Sequence, residues 1–178
     1  MSPHPSSEVA TPRPTSGAVD RAGFDTRAFR DALGAFATGV TVITTVDRDG
    51  VPAGVTSSSF NSVSLCPPMV LWSLGRASRS LAAFQGSQRF AVHVLQAGQE
   101  PLAAQFASKA QDKFAGLRWS LSDHGTPDLR DCAARFECRT AAEHDGGDHV
   151  LILGKVLDLR LAKDAAPLVF HRGAFRAL

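Results

Sequence analysis

The sequence predicts a mainly β fold, an antiparallel, barrel-like sheet of six or seven strands with a few short helices at its periphery. Several segments are rich in β-branched and aromatic residues and are bounded by Gly, Pro or Asp. Most of these segments are joined by tight turns and not by the long crossovers that a parallel sheet needs. The 178 residues, of which 44% are hydrophobic, suit one domain with its own core.

The first 20 residues differ in composition from the rest of the chain. They contain four prolines and many Ser and Thr residues, and they show no apolar periodicity. Such segments do not bury enough apolar surface to offset the entropy of ordering. We therefore expect a disordered tail over residues 1–20 and a folded domain over residues 21–178.

Three short helices are predicted. The first begins at Asp25 or Thr26, either of which can cap it, and ends at Gly39. The other two cover residues 78–87 and 98–114. The first helix carries one apolar face, made of Phe29, Leu33 and Phe36.

The predicted strands are separated by recognisable turns. The sequence "DRDG" at residues 47–50 and the pair Gly146-Gly147 are both typical of β-hairpins. Residues 125–133 are predicted to be a loop. The strands are expected over residues 40–46, 51–60, 69–74, 89–96, 134–145, 149–162 and 167–175.

Composition also excludes some classes of protein. The net charge is only +2 and the charges are interspersed, so we expect no nucleic-acid partner. No apolar run approaches the ~20 residues needed to cross a bilayer, and the start of the chain lacks the pattern of a secretory signal. Three cysteines without a Cys-x-x-Cys motif indicate neither a disulfide framework nor a zinc site, which favours a cytoplasmic protein.

A run of hydroxyl side chains interrupts the predicted strand 51–60 and the segment after it. Neutral hydroxyls and backbone N–H groups on a strand can bind phosphate oxygens, ribityl hydroxyls or the polar edge of a heterocycle. The alternative is a strand face chosen for solubility. Hydroxyl residues at every second position would lie on one face and favour that alternative, but these residues occupy odd and even positions. They are Thr56, Ser57, Ser58, Ser59, Ser62 and Ser64.

A second candidate site is "HDGGDH", residues 144–149. Its two imidazoles and its carboxylates are possible metal ligands, but no further His or Cys cluster completes a coordination shell. A polar hairpin tip explains the segment more simply, so we expect no metal. His149 opens an apolar strand, where it can face a pocket and donate a hydrogen bond.

A third candidate site is a set of four cationic side chains. They either bind an anion such as phosphate or are ordinary residues exposed to solvent. These are Arg76, Arg79, Lys109 and Lys113. The chain has no G-x-G-x-x-G after a strand, no Walker A sequence and no G-x-S-x-G elbow. A Rossmann dinucleotide site is therefore not supported, and any nicotinamide must bind without that fingerprint.

The motifs taken together resemble the short-chain flavin reductases, the reductase components of two-component flavin-dependent monooxygenases. The resemblance covers roughly residues 24–176, with all blocks in order. The blocks are "FRDALGAFATGVTVITT", "GVPAGVTSSSFNSVSLCPPMVLWSL", "RFAVHVL", "FASKAQDKFAG", "GDHVLILGKV" and "PLVFHRGAF". Many relatives have an acidic residue just before the double proline, where this chain has Cys66.

This resemblance implies a split β-barrel that forms a homodimer, with flavin near the subunit interface. It implies hydride transfer from NADH or NADPH to FMN or FAD, and release of the reduced flavin to a separate monooxygenase. His149 resembles the histidine that meets the nicotinamide cofactor. The residues implied to bind the flavin are Val55, Thr56, Ser57, Ser58, Ser59, Ser64, Ser80, Phe106, Ala107 and Lys113.

Two other functions compete with this interpretation. One is an oxidase of the pyridoxamine-phosphate type on the same barrel, which keeps its FMN and uses oxygen. The other is a non-catalytic module that binds flavin or haem. The "GDH" motif and the hydroxyl run favour the reductase, while the choices between FMN and FAD and between NADH and NADPH stay open.

Overall fold

The computed structural model describes residues 25–176, which contain three helices and twelve strands. The predicted tail at residues 1–20 lies outside the described part of the chain. In chain order the elements are α1 (Thr26–Gly34), β1 (Thr38–Gly39), β2 (Thr41–Val46), β3 (Pro52–Ser57), β4 (Asn61–Leu65), β5 (Pro68–Gly75), α2 (Leu81–Gly86), β6 (Arg89–Val94), α3 (Glu100–Ala107), β7 (Trp119–Leu121), β8 (Pro127–Leu129), β9 (Ala134–Gly146), β10 (His149–Leu161), β11 (Val169–His171) and β12 (Ala174–Arg176).

Seven strands form one antiparallel sheet in the order β3-β2-β6-β9-β10-β5-β4. The predicted fold class, mainly β with an antiparallel sheet and few helices, is confirmed. The two edge strands, β3 and β4, are joined directly by residues 58–60, which brings the two ends of the sheet together, as a barrel-like curvature requires. In this connection Ser59 Oγ accepts a hydrogen bond from the Ser73 N–H of β5 at 2.9 Å.

Two hydrophobic clusters fill the interior. The first surrounds Trp72, which is fully buried and packs edge-on against Phe84 at a ring-centroid distance of 4.9 Å. The second surrounds Phe106, also fully buried, and Phe114, whose rings meet edge-on at 5.0 Å. The second cluster packs α3 against the sheet and so fixes one side of the site described below.

Two helices end earlier in the chain than predicted. Helix α1 is capped by Asp25, as predicted, but ends at Gly34 and not at Gly39. Helix α3 ends at Ala107, seven residues before the predicted end, because Ser108 has extended backbone angles. The apolar residues predicted to form the helix face are exposed in the single chain: Phe29 57% and Leu33 58% on α1, and Phe36 76%, which lies beyond the end of the helix.

Several strand boundaries also differ from the prediction. The strand expected over 51–60 ends at Ser57, and the chain then turns into β4, which pairs with β5. Part of the predicted loop 125–133 is β8, which forms a small hairpin with β7. The last predicted strand, 167–175, is a hairpin of β11 and β12. The β9–β10 loop consists of residues 147–148, because Gly146 still pairs with His149.

A polar cluster is buried between β6, β8 and β9. Arg135 forms ion pairs with Asp128 and, at 3.2 Å, with Glu137. His93 Nε2 lies 3.1 Å from the Pro127 carbonyl, to which it donates in the neutral form. Burial lowers the pKa of His93 to about 4, more than the nearby Asp128 carboxylate raises it. This histidine is therefore neutral at pH 7.

Residues 25–176 contain neither a helix that could cross a membrane nor a cluster of side chains that could hold a metal. None of the three helices there is long and apolar enough to cross a bilayer. In the same part of the chain, no group of three or more His, Cys, Asp or Glu side chains is placed to hold a metal ion.

Candidate active site

A cavity of about 880 Å³ opens between three parts of the fold. One wall is the edge strand β3, the second is the segment 77–80 that leads into α2, and the third is the segment 106–113 that follows α3. We call this the β3 cavity. Its volume lies in the range of typical cofactor pockets. The residues that line it are Asp47, Val51, Pro52, Ala53, Gly54, Val55, Thr56, Leu74, Ala77, Ser78, Arg79, Ser80, Ala83, Phe106, Ala107, Ser108, Lys109, Ala110, Gln111 and Lys113.

The β3 wall depends on a glycine. A Cβ atom placed on Gly54 would lie 2.4 Å from Phe106 Cε1 and 2.7 Å from Phe106 Cδ1. Nonbonded carbon atoms do not approach one another this closely, so only glycine at position 54 allows α3 to lie at this distance from the strand. Glycine inside a strand often marks such a close approach. Thr56, two residues further on, donates from Oγ1 to the Ala103 carbonyl at 2.6 Å and adds a second tie between β3 and α3.

Three of the four candidate cations line the β3 cavity. Arg79 donates to the backbone carbonyl of Lys109, which links the second wall to the third. The Lys113 ammonium donates to the carbonyls of Phe106, at 2.7 Å, and Gly54, at 3.2 Å. Burial lowers the pKa of Lys113, and the Arg79 charge lowers it further. The concentration of positive charge suits an anionic group such as phosphate.

The fourth cation, Arg76, lies outside the cavity lining. Its guanidinium donates to Asp145 Oδ1 at 2.6 Å and to the Gly147 carbonyl at 2.8 Å. The bond from Arg76 holds the pKa of Asp145 below its usual value. Arg76 therefore fastens the tip of the β9–β10 hairpin to the end of β5.

Six of the ten predicted flavin-binding residues line the cavity, and four do not. The six are Val55, Thr56, Ser80, Phe106, Ala107 and Lys113. Ser57 and Ser59 pair with each other through their hydroxyls at 2.7 Å, and Ser58 is exposed. Ser64 lies on β4, opposite Met69. Of the hydroxyl run, only Thr56 reaches the cavity, and roles for these four serines stay predictions.

His149 does not line the cavity. It pairs across the sheet with Gly75, whose neighbour Leu74 lines the cavity. Its side chain is 47% exposed, and its Nδ1 donates to Asp148 Oδ1 at 2.7 Å. This hydrogen bond lowers the pKa of Asp148. It also leaves Nε2 as the ring nitrogen available to a ligand.

Sequence reasoning missed much of the lining. Gly54, Ser78 and Ser108 were not proposed as site residues, although all three line the cavity. The signal for Gly54 was present, because an isolated glycine in a predicted strand suggests close backbone approach. No pattern in the sequence marked Ser108.

Residues 33–178 match the family described as the flavin reductase like domain. The chain belongs to this family, and its fold is the split barrel of the family. The predicted family is therefore confirmed. The enzyme class, an NAD(P)H-dependent flavin reductase that uses FMN or FAD, is confirmed as well.

Individual relatives are similar over most of their length. The NADH-dependent FMN reductase SmoA of Agrobacterium fabrum is 49% identical over 154 residues, 86% of each chain. The flavin-dependent monooxygenase reductase subunit HsaB of Rhodococcus jostii is 44% identical, over 91% of this chain and 83% of its own. The NADH:FAD oxidoreductase SgcE6 of Streptomyces globisporus, solved with NAD and FAD fragments, is 35% identical with a TM-score of 0.83. That alignment covers 92% of this chain and 97% of SgcE6.

The side chains of the β3 cavity fit a flavin nucleotide. Val55 and Ala107 provide apolar surface for a ring system, and Ser80 provides a hydroxyl. Arg79 and Lys109 provide positive charge for a phosphate at the other two walls.

Proposed function

We propose that the β3 cavity binds FMN or FAD and that the protein reduces it with a hydride from NADH or NADPH. The reduced flavin would then pass to a separate flavin-dependent monooxygenase. One observation carries this proposal: an apolar strand wall and three cations meet in one cavity of about 880 Å³. The names of the relatives support it, since SmoA is an NADH-dependent FMN reductase and HsaB is the reductase subunit of a monooxygenase.

The proposed roles follow from the chemistry of each wall. Bound flavin supplies the hydride acceptor, while the protein supplies binding and orientation. Arg79 and Lys109 bind the phosphate, and Ser80 donates to the ribityl chain or the phosphate. The residues that pack along the flavin are Val55, Thr56, Phe106 and Ala107. Lys113 supports this wall through its hydrogen bonds to the Gly54 and Phe106 carbonyls. We retain Ser57, Ser58, Ser59 and Ser64 as proposed contacts, because they continue from the β3 wall toward β4 and β5.

We propose that His149 orients the nicotinamide or its pyrophosphate and transfers no proton. A hydride transfer needs no protein nucleophile, so the main task of the residue is to position the donor. Its hydrogen bond to Asp148 fixes the ring, and its pairing with Gly75 places it beside the strand that continues into the cavity wall.

We also propose that two copies of the chain form a homodimer in the cytoplasm. Exposed apolar side chains on α1, just after it, and at the ends of β4 and β10 support association. An apolar helix face that is left exposed, such as that of Phe29 and Leu33, is typical of an interaction surface. Examples are Phe36 at 76% exposure, Leu65 at 94% and Leu161 at 65%. Light scattering coupled to size exclusion measures the mass directly, and a mass of one chain at micromolar concentration would contradict the dimer.

One assay tests the reductase function. The absorbance of NADH and NADPH at about 340 nm is followed with purified protein while FMN, FAD or riboflavin is added in turn. We expect loss of absorbance that depends on added flavin for at least one pair. Absence of flavin-dependent loss with every pair would refute the proposal. A protein that purifies yellow and turns over an amine would instead support the oxidase alternative.

A further inference from the structure

Lys113 joins two elements of the cavity that are far apart in sequence. Its ammonium donates to the Phe106 carbonyl in the last turn of α3 and to the Gly54 carbonyl on β3. The Ser80 hydroxyl lies 3.5 Å from the same Gly54 oxygen. One side chain therefore ties the helix, the edge strand and the segment after the helix together.

Both carbonyls need an external donor. The last four carbonyls of a helix have no intrahelical partner, and a cation at that end also suits the helix dipole. Gly54 lies on β3, the outermost strand of the sheet, where alternate carbonyls point away from β2. Removing the Lys113 ammonium would leave two half-buried acceptors without their charged donor, which is costly.

The backbone of Lys113 is also held in place by hydrogen bonds. The Gln105 amide donates to the carbonyls of Lys113, at 2.9 Å, and Ala115, at 3.0 Å. Phe114 is buried beside Phe106 in the second hydrophobic cluster. The residues between α3 and Lys113 therefore form a loop whose two ends are held together by hydrogen bonds. This loop carries Lys109 on the cavity wall.

We propose that Lys113 is a positioning residue that fixes the shape of the β3 cavity, and that it does not bind the flavin phosphate. The proposal rests on the proposed function and assigns phosphate binding to Arg79 and Lys109. Two of the three Lys113 donors are already committed to backbone carbonyls, and both bonds would have to break for the ammonium to move to a ligand at the rim. Lys109 is exposed, on the same loop, and is free to move toward an anion.

Riboflavin lacks the phosphate of FMN, so comparing the two ligands separates the roles. We would titrate the wild-type protein, Lys113→Met and Lys109→Met with each ligand, following flavin fluorescence. Lys113→Met is expected to weaken FMN and riboflavin by the same factor, about tenfold for the lost charged hydrogen bonds. Lys109→Met, the matched control, is expected to weaken FMN roughly fivefold and leave riboflavin unchanged.

Two results would overturn the proposal. One is a Lys113→Met protein that loses affinity for FMN but keeps its affinity for riboflavin, and the other is a variant with unchanged affinity for both. If Lys113→Met does not fold, Lys113→Gln, which keeps a neutral donor, is titrated in its place and judged by the same comparison.

A measurement without flavin separates failure of this proposal from failure of the proposed function. Amide hydrogen exchange of residues 107–112 is expected to be faster in ligand-free Lys113→Met than in ligand-free Lys109→Met. Equal exchange in the two variants would refute the positioning role. If wild-type protein binds no flavin, the proposed function fails, and the exchange result still decides whether Lys113 holds the loop.

Discussion

Replacing Gly54 with alanine tests the close approach of α3 to β3. In an open strand this change stabilises a protein by about 0.5–1 kcal/mol, because alanine loses less backbone entropy on folding. Here the added Cβ would lie 2.4 Å from the Phe106 ring. That ring is fully buried and packed edge-on against Phe114, so it has little room to move. Forcing a methyl group into a packed core typically costs about 1–3 kcal/mol.

We therefore expect Gly54→Ala to lower the free energy of unfolding by about 2 kcal/mol. For a chain of this size, that corresponds to a melting temperature lower by about 4–8 °C. Thermal unfolding followed by circular dichroism measures the shift. Because Phe106 lines the β3 cavity, its displacement should also weaken FMN binding, which a titration of flavin fluorescence measures.

The matched control is Gly39→Ala. Gly39 is also in a strand, but no atom lies within 4 Å of a Cβ placed there. We expect Gly39→Ala to raise the melting temperature by about 1–4 °C, for a gain of about 0.5–1 kcal/mol. If Gly54→Ala and Gly39→Ala melt at the same temperature, the close contact does not limit residue 54 and the reasoning is wrong.

Three further predictions concern the ligands and the buried histidine. His149→Ala should raise the KM for NADH and leave the dissociation constant of FMN unchanged; the reverse pattern would show that His149 serves the flavin. Oxidised and reduced flavin should bind with similar affinity, because the contacts proposed along the flavin ring, Thr56 and the serines after it, are neutral donors; a reduced form bound several hundredfold more tightly in anaerobic titrations would contradict this. The depressed pKa of His93 means that the unfolded chain takes up a proton below pH 6.5 while the folded chain stays neutral until about pH 4. The free energy of unfolding should therefore fall by about 3 kcal/mol between pH 7 and pH 4, and His93→Gln should remove this dependence on pH. Urea unfolding at several pH values measures it, and the same fall of the free energy with pH in both proteins would refute the prediction.

Local signals predicted most of the main sheet. The β-branched run of β2, the turn at 47–50 and the hairpin of β9 and β10 depend on neighbouring residues, and the structure contains all of them. The β11–β12 hairpin was missed because Arg172, with φ of 49°, precedes Gly173, with φ of 77°. Hairpin rules expect Asn or Gly at the first of these positions, where most residues are strained.

The arrangement of the site was less accessible from the sequence. The contact between Gly54 and Phe106 joins residues on different elements, and periodicity along one segment carries no information about it. The hydroxyl run was the strongest local signal, yet Ser57 and Ser59 bond to each other at the end of β3. Charge alone also did not separate Arg76, which pairs with Asp145, from Arg79, which lines the cavity.

The central claim is that flavin binds in the β3 cavity. A crystal structure of the protein grown with FMN tests it most directly. We predict flavin density along Val55 and Thr56, with the phosphate at Arg79 and Lys109 and with Lys113 still bonded to the two carbonyls. Ordered FMN at another surface, with the β3 cavity free of it, would contradict the account.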